Sequence, residues 1–295
     1  MMAWKRLIRF IADDGSIHFG DAIVPKAEAN IGKLADEGSL YACVIDTSGS
    51  IDIFSANTEL TNEVLHVQQL LAPLTRRQVP IIRCIGLNYI KHIQEGGRTP
   101  PPYPTLFIKP SMSLAEYGEV ITISEFAQET CDYEGELIVV IGQDGKDIPK
   151  EHALDYVAGY TAGNDISCRA WQSDPKFVGG APQWCFSKGL DKYAPIGPAI
   201  LSQEVIEDAG ELILQTRVNG ELRQDSNTND LLFDIPTLIS FLSKGTTLEK
   251  GSLIMTGTPS GVGMGKKPPV YLKDRDLVEV YIEKIGTLRN TISFG

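Results

Sequence analysis

The amino-acid sequence predicts a β-rich α+β protein, built as one large unit preceded by a smaller α+β one. Three observations carry that prediction. Short apolar runs bounded by Gly, Pro, Asn or Asp recur along the chain, whereas a clear amphipathic helical period occurs once. Val218-Asn219-Gly220-Glu221 sets Asn-Gly between two extended runs, and Asn-Gly tolerates the positive φ that both central positions of a tight hairpin turn require. Pro73 and Pro80 bracket the polar run Thr75-Arg76-Arg77-Gln78, which reads as a linker and divides residues 1–75 from residues 76–295.

Taken in order, residues 4–20 are two apolar runs around the turn Asp13-Asp14-Gly15-Ser16 and predict a hairpin. Leu40–Ile45 predicts a strand. Over Asn62–Leu71, the residues Val64, Leu65, Leu70 and Leu71 fall near helical spacing, so a helix is expected there. Beyond the linker, Ile81–Gly86 predicts a buried strand that leads through Leu87-Asn88-Tyr89 into a short helical piece carrying His92 and Glu95. Residues 94–104 are too rich in Gly and Pro for regular structure and read as a lid able to order over a ligand. Strands are then expected at Leu106–Ile108, Val120–Ile123, Gly135–Ile141, Val157–Asn164, Ile196–Ala199, Leu212–Val218, Leu253–Thr256 and Leu277–Ile282. The one clear helix has Asp234 as N-cap and Pro236 in its first turn. Ile235, Leu238, Ile239 and Leu242 share one face, and Gly245 is the expected stop.

Composition narrows the function classes. The chain has 295 residues, 42% apolar and 22% charged, enough for a full core. Lys plus Arg number 27 against 38 Asp plus Glu, and the net charge of −11 repels a polyphosphate backbone, so no nucleic-acid partner is expected. No run approaches the ~18 apolar residues of a membrane helix, so no membrane partner is expected either. Near the N-terminus Lys5, Arg6 and Arg9 interrupt any signal-peptide core. The five cysteines form no C-x-x-C pair, which argues against a disulfide framework or a zinc knuckle and for a reducing, cytoplasmic setting. Four histidines make neither H-x-x-x-H nor H-E-x-x-H.

The sharpest chemical signal is Tyr133-Glu134-Gly135-Glu136-Leu137. In a strand, residues i and i+2 share a face, so Glu134 and Glu136 project side by side from an otherwise apolar run. A third acid, Asp165, ends the apolar strand Val157–Asn164. Carboxylates gathered near a core need compensation by a shared proton, by Lys or Arg, or by a divalent cation. Without His or Cys company, three of them suit a hard, oxygen-seeking ion such as Mg²⁺ or Mn²⁺. Arg169 and Gln172 follow Asp165 at a spacing that puts all three on one side if the chain turns helical, and Arg169 offers a fork for a carboxylate. Lys188 lies amid apolar neighbours between Gly- and Pro-rich stretches, where it can meet an anion or simply bury its stem. His92 and Glu95, at i and i+3, form a pair in which the carboxylate orients an imidazole able to take a proton from water. The segment Gly257–Lys267 is not a phosphate loop, since Ser260 and Lys267 stand where Gly and Ser or Thr are needed. It reads as a tight glycine turn whose N–H groups and Thr258 hydroxyl can face a small anion.

These pieces occur in a fixed order. Gly86-Leu87-Asn88-Tyr89-Ile90-Lys91-His92 comes first, followed by Phe107-Ile108-Lys109-Pro110-Ser111 and Tyr133-Glu134-Gly135-Glu136-Leu137. Gly163-Asn164-Asp165-Ile166-Ser167-Cys168-Arg169, Val218–Glu221 and Thr256–Gly263 complete the series. As a set they resemble the fumarylacetoacetate hydrolase superfamily, in particular its short members acting on acylpyruvates and oxaloacetate, from about Ile82 to the C-terminus. The resemblance implies a mixed β-roll or sandwich catalytic domain, a small variable N-terminal domain and a homodimer. It implies Mg²⁺ or Mn²⁺, with Ca²⁺ as a third choice, held by Glu134, Glu136 and Asp165. It also implies a 2-keto acid substrate held by Lys188, Arg169, Gln172 and Thr258, with His92 and Glu95 as a lid dyad that activates water. Two positions depart from the pattern. Leu87 stands where a basic residue is common, which puts a carboxylate grip at the lid in question, and Ala170 stands where an acid often follows the arginine, which changes what orients Arg169.

The expected function is therefore a divalent-metal-dependent hydrolase that cleaves a C–C bond in a 1,3-dicarbonyl 2-keto acid of the acylpyruvate or fumarylpyruvate type, with Lys188 helping to stabilise the enolate that leaves. Decarboxylation of oxaloacetate and keto–enol isomerisation are alternatives at the same site. A non-catalytic metabolite-binding module is the alternative from another class.

Overall fold

The computed structural model describes residues 2–27, 29–47, 52–55 and 57–295. Two sheets dominate, as the β-rich α+β reading expects. In the larger, ten strands follow one another in the order Leu60–His66, Tyr41–Ile45, Ile17–Ile23, Arg6–Ile11, Ala194–Leu201, Val157–Asn164, Gly135–Ile141, Leu253–Met255, Ile82–Gly86 and Thr105–Lys109. The smaller sheet runs Glu221–Asn227, Ile213–Val218, Leu277–Ile282, Gly286–Phe294 and Val120–Ile123.

Strand Gly135–Ile141 shows how alternation builds two cores at once. Leu137, Val139 and Ile141 face a core shared with Leu214, Val280, Ile282 and Leu288 of the smaller sheet and with Ile235, Leu238, Ile239 and Leu242 of the capped helix. Ile138 and Val140 face the opposite core, with Trp4, Leu7, Leu74, Val79, Ile82 and Phe107. Each such side chain, fully buried, contributes on the order of 1.5–3 kcal/mol. The helix Ile235–Leu242 starts where expected, with Asp234 Oδ1 accepting the Thr237 N–H at 2.8 Å. Its cap is Ser243, and Gly245, at φ +68°, lies two residues further on.

The N-terminal strands extend the larger sheet directly, since Arg6 pairs with Leu201 and Leu7 with Ile200. Buried Arg9 donates from Nε to Ala72 O and pairs with Glu116, which adds a polar tie between early and later segments. The helix expected over 62–71 is instead two strands, Leu60–His66 and Gln69–Leu71. The first lies at the sheet edge, pairs with Tyr41–Ile45 and leaves Val64 52% exposed. The four apolar residues there line no common face, and pairing of the backbone overrides their helical spacing. Strand Gly286–Phe294 escapes detection in the sequence because Asn290 occupies an inward position. Its Nδ2 is buried and donates to Glu116 O and Glu119 O. Among the described residues, no helix is long and apolar enough to cross a membrane.

Candidate active site

Antiparallel register gathers the acids at one end of the central strands. Gly135 pairs with Asn164 and Glu136 with Gly163, so Glu134 comes opposite Asp165, whose N–H donates to Glu134 O at 2.8 Å. On the other side of the same strand, Leu253–Met255 leads to Gly257, whose N–H donates to Glu136 Oε2 at 2.8 Å. Gly257 has φ +104°, and a Cβ there would lie 2.9 Å from Asn88 Cβ, so glycine is required to bring this donor up. As a result, oxygens of Glu134, Glu136 and Asp165, all buried, lie within 4.8 Å of one another.

Cations crowd the same space. Lys188 Nζ donates to Glu134 Oε2 at 2.7 Å, Asp165 Oδ2 at 2.8 Å and Ser167 Oγ at 2.6 Å, which engages all three of its hydrogens. Lys109, fully buried, pairs with Asp165 Oδ1 and donates to Tyr193 O. Arg169 donates from Nε to Asp132 Oδ2 and from Nη1 to Gln172 Oε1, both at 2.9 Å, and its Nη2 lies 2.6 Å from Glu134 Oε1. Among the described contacts, Glu136 is the acid with no cationic partner.

Those partners decide each group's proton affinity. Burial works against ionisation of Glu134, but the Arg169 and Lys188 charges overcome it and hold the carboxyl well below the usual range. Burial drives Glu136 well above that range, reinforced by Asp165 and Glu134, against a weaker pull from Lys188 and the Gly257 N–H. Burial disfavours the Lys188 ammonium, yet Asp165 and Glu134 raise its affinity for the proton above the ordinary value. Three converging oxygens, one of them on a carboxyl with no cationic partner, form a donor set that can hold a metal ion, and an all-oxygen set favours a hard divalent one.

Around this cup lies a small pocket with about 50 Å³ of free space. Glu134, Glu136, Arg169, Gln172, Lys188 and Thr258 form its polar side, and Ile85, Leu87, Phe107, Trp184 and Met264 its apolar side. Thr258 Oγ1 donates to Gly135 O at 3.0 Å and accepts from Gln224 Nε2 at 2.8 Å. Helix Ile90–Glu95 brings half-buried His92 to the pocket, with Nδ1 3.1 Å from Glu95 Oε2. Glu95 Oε1 accepts the Gly261 N–H at 2.9 Å. Burial pushes the Glu95 carboxyl up, but the His92 and Gly261 hydrogen bonds leave it below its ordinary value. Leu87, held in the left-handed region at φ +57°, turns the chain from strand Ile82–Gly86 towards helix Ile90–Glu95.

Seven of the nine expected site residues thus line the pocket, Asp165 completes the cup and Glu95 backs His92. Sequence reasoning missed Asp132, Lys109, Ser167 and Gln224. Asp132 had a readable signal, since it precedes Glu134 by two in an Asp-x-Glu-x-Glu alternation. Nothing local distinguishes Lys109 from a surface lysine.

Residues 81–293 match the family described as fumarylacetoacetate (FAA) hydrolase C-terminal. The chain belongs to the fumarylacetoacetate hydrolase family. Caffeoylpyruvate hydrolase of Neonothopanus nambi is 41% identical over 300 residues, covering 98% of this chain and 93% of that protein. Oxaloacetate tautomerase YisK of Bacillus subtilis is 43% identical over 226 residues, covering 76% of this chain and 73% of that protein. Among solved structures, 2-hydroxyhepta-2,4-diene-1,7-dioate isomerase from Mycobacterium marinum superposes with a TM-score of 0.78 at 30% identity, covering 98% of each chain. The protein is accordingly an enzyme with the β-rich α+β fold of the fumarylacetoacetate hydrolase family.

Proposed function

We propose that this enzyme hydrolyses the C–C bond of an acylpyruvate, giving pyruvate and a carboxylic acid. The observation that carries the reading is one pocket in which a converging carboxylate triad faces a His–Glu dyad. Mg²⁺ or Mn²⁺, held by Glu134, Glu136 and Asp165, would supply fixed positive charge beside the substrate oxygens as negative charge develops there. Arg169 presents its guanidinium edge to the substrate carboxylate, and Gln172 steadies that edge. His92, oriented by Glu95, takes a proton from water, whose oxygen attacks the distal carbonyl carbon. The C–C bond then breaks, its electron pair passes to the pyruvate enolate, and the imidazolium returns a proton to the enolate carbon. Lys188 contributes its charge to the developing enolate.

Leu87, Phe107, Trp184 and Met264 give the pocket an apolar wall suited to an apolar or aromatic acyl group, with Arg98 the further charged residue that lines it. The near full-length relative named for caffeoylpyruvate supports that substrate class. The relative named as an oxaloacetate tautomerase supports a second reading, isomerisation or decarboxylation at the same cup without an attacking water. The five unpaired cysteines suit a cytoplasmic enzyme, and an exposed aromatic cluster of Phe126, Phe177 and Phe186 around Trp171 suits a homodimer.

Turnover of acetylpyruvate, benzoylpyruvate and oxaloacetate, with Mn²⁺ or with EDTA, tests the proposal by its products. Carboxylic acid plus pyruvate is expected, and His92→Ala should slow that reaction about 10²–10⁴-fold while sparing Mn²⁺ binding. Hydrolysis that survives His92→Ala intact overturns the mechanism, and CO₂ as the product favours the second reading.

A further inference from the structure

Asp132 belongs neither to the carboxylate cup nor to the lid, yet it is wholly buried with both oxygens engaged. Oδ1 accepts the N–H of Tyr133 at 2.9 Å and of Gly263 at 2.8 Å. Oδ2 accepts the N–H of Met264 at 2.9 Å and Arg169 Nε at 2.9 Å. Two of these donors come from the turn 261–265, the same turn whose Gly261 N–H reaches Glu95 of the lid. At Gly263 a Cβ would stand 2.6 Å from Asp132 Oδ1 and 2.2 Å from Val270 O, so the turn is seated directly on the carboxylate. At Gly265 a Cβ would lie 2.6 Å from the Glu95 carboxyl carbon, so the lid in turn is seated on the turn. One line of contacts therefore joins Glu95, the turn, Asp132 and Arg169, and continues to Glu134.

We infer that Asp132 is a positioning residue that fixes the Arg169 guanidinium for the substrate carboxylate and ties that grip to the seat on which the lid dyad docks. With Nε on Asp132 and Nη1 on Gln172, the plane of the guanidinium is set from two directions before substrate arrives. Ala170, the residue next to Arg169, has no side-chain polar atom to do this. The same carboxylate holds Met264, which lines the pocket, so a rotation of Arg169 pulls on the turn and through it on Glu95.

The inference rests on the acylpyruvate reading, and its test separates the two. Steady-state kinetics of the full-length enzyme with acetylpyruvate, for wild type, Asp132→Asn, Arg169→Lys and the double variant, form a mutant cycle. Asp132→Asn is expected to raise KM at least tenfold and to leave Mn²⁺ affinity, measured calorimetrically without substrate, within about threefold. In the double variant, KM should rise no more than about threefold beyond Arg169→Lys alone, because both changes act on one grip. Multiplying effects, or an unchanged KM in Asp132→Asn, overturn the proposal. So does a parallel loss of Mn²⁺ affinity and melting temperature, the signature of a merely structural role. If Asp132→Asn does not fold, amide exchange on wild type gives the answer. Oxalate with Mn²⁺ should slow exchange of residues 261–265 and of the lid at 90–96, and should fail to do so in Arg169→Lys. Equal slowing in both proteins overturns the linkage. A wild type that hydrolyses no acylpyruvate sinks the function reading alone, since the exchange experiment needs no turnover.

Discussion

Glu134 and Glu136 stand two residues apart on one face of a strand, yet their surroundings pull their carboxyls in opposite directions. Glu134 has Arg169 and Lys188 as partners, whereas Glu136 has burial, two neighbouring acids and one backbone N–H. A buried carboxylate without a cation costs stability whenever it must be ionised. Glu136→Gln should therefore stabilise the metal-free enzyme near pH 8, by about 1–3 kcal/mol. Thermal melts in EDTA check this. In excess Mn²⁺ the order should reverse, because the stabilisation that a ligand gives by binding the folded state shrinks with its affinity. A Glu136→Gln protein that melts lower in EDTA yet keeps the full Mn²⁺ effect would deny this residue its place in the cup. At this scale the sequence was readable where spacing along one strand decides the outcome, as for the Glu-x-Glu pair. It was opaque where register decides, since Lys109 reaches Asp165 only through pairings between distant strands.

The lid helix Ile90–Glu95 has six residues and lies below the length at which a helix holds itself together in water. Its position comes from its two ends, the last residue held where Glu95 Oε1 accepts the Gly261 N–H and the first turn held by Asn88 and Asp230. Asn88, fully buried, donates from Nδ2 to Thr256 O at 2.8 Å and to Phe233 O at 3.2 Å, while its Oδ1 accepts the Phe233 N–H at 2.9 Å. Asp230 Oδ2 receives the Lys91 N–H at 3.0 Å. Asn88→Ala would leave several buried backbone groups unpaired and should cost about 1–3 kcal/mol. Hydrogen exchange over residues 90–96 should quicken at least tenfold, and unchanged exchange there would mean that the helix is held by something else. The sequence announced this helix and most strands because their apolar periods are long or bounded by Gly and Pro. It misled at 62–71, where an edge strand buries too little for its pattern to show. It fell silent at Gly286–Phe294, where a buried asparagine takes the place of an expected apolar residue.

Across the whole molecule, helices Arg169–Ser173 and Trp184–Lys188 carry Arg169, Gln172 and Lys188 on their inner side and part of the aromatic cluster on the outer. Phe126, Phe177 and Phe186 are 48%, 44% and 45% exposed, a contiguous apolar surface of the kind that ordinarily meets a partner. Sedimentation of the wild type should show a dimer, and Phe186→Glu should weaken it at least tenfold. A wild type that stays monomeric at high concentration rules this surface out as a self-association face. The capped helix and most of the strands were legible from alternation and turn chemistry, whereas the pairing of the first strands with the larger sheet was not, because a strand carries no local mark of its distant partner. The cup is woven into the register of the innermost strands, while His92 hangs from one short helix pinned at Asn88 and Gly261. Evolution and engineering thus have unequal freedom here: substitutions along the short helix can remodel what stands over the pocket, whereas the three carboxylates cannot shift without disturbing the sheet that carries them.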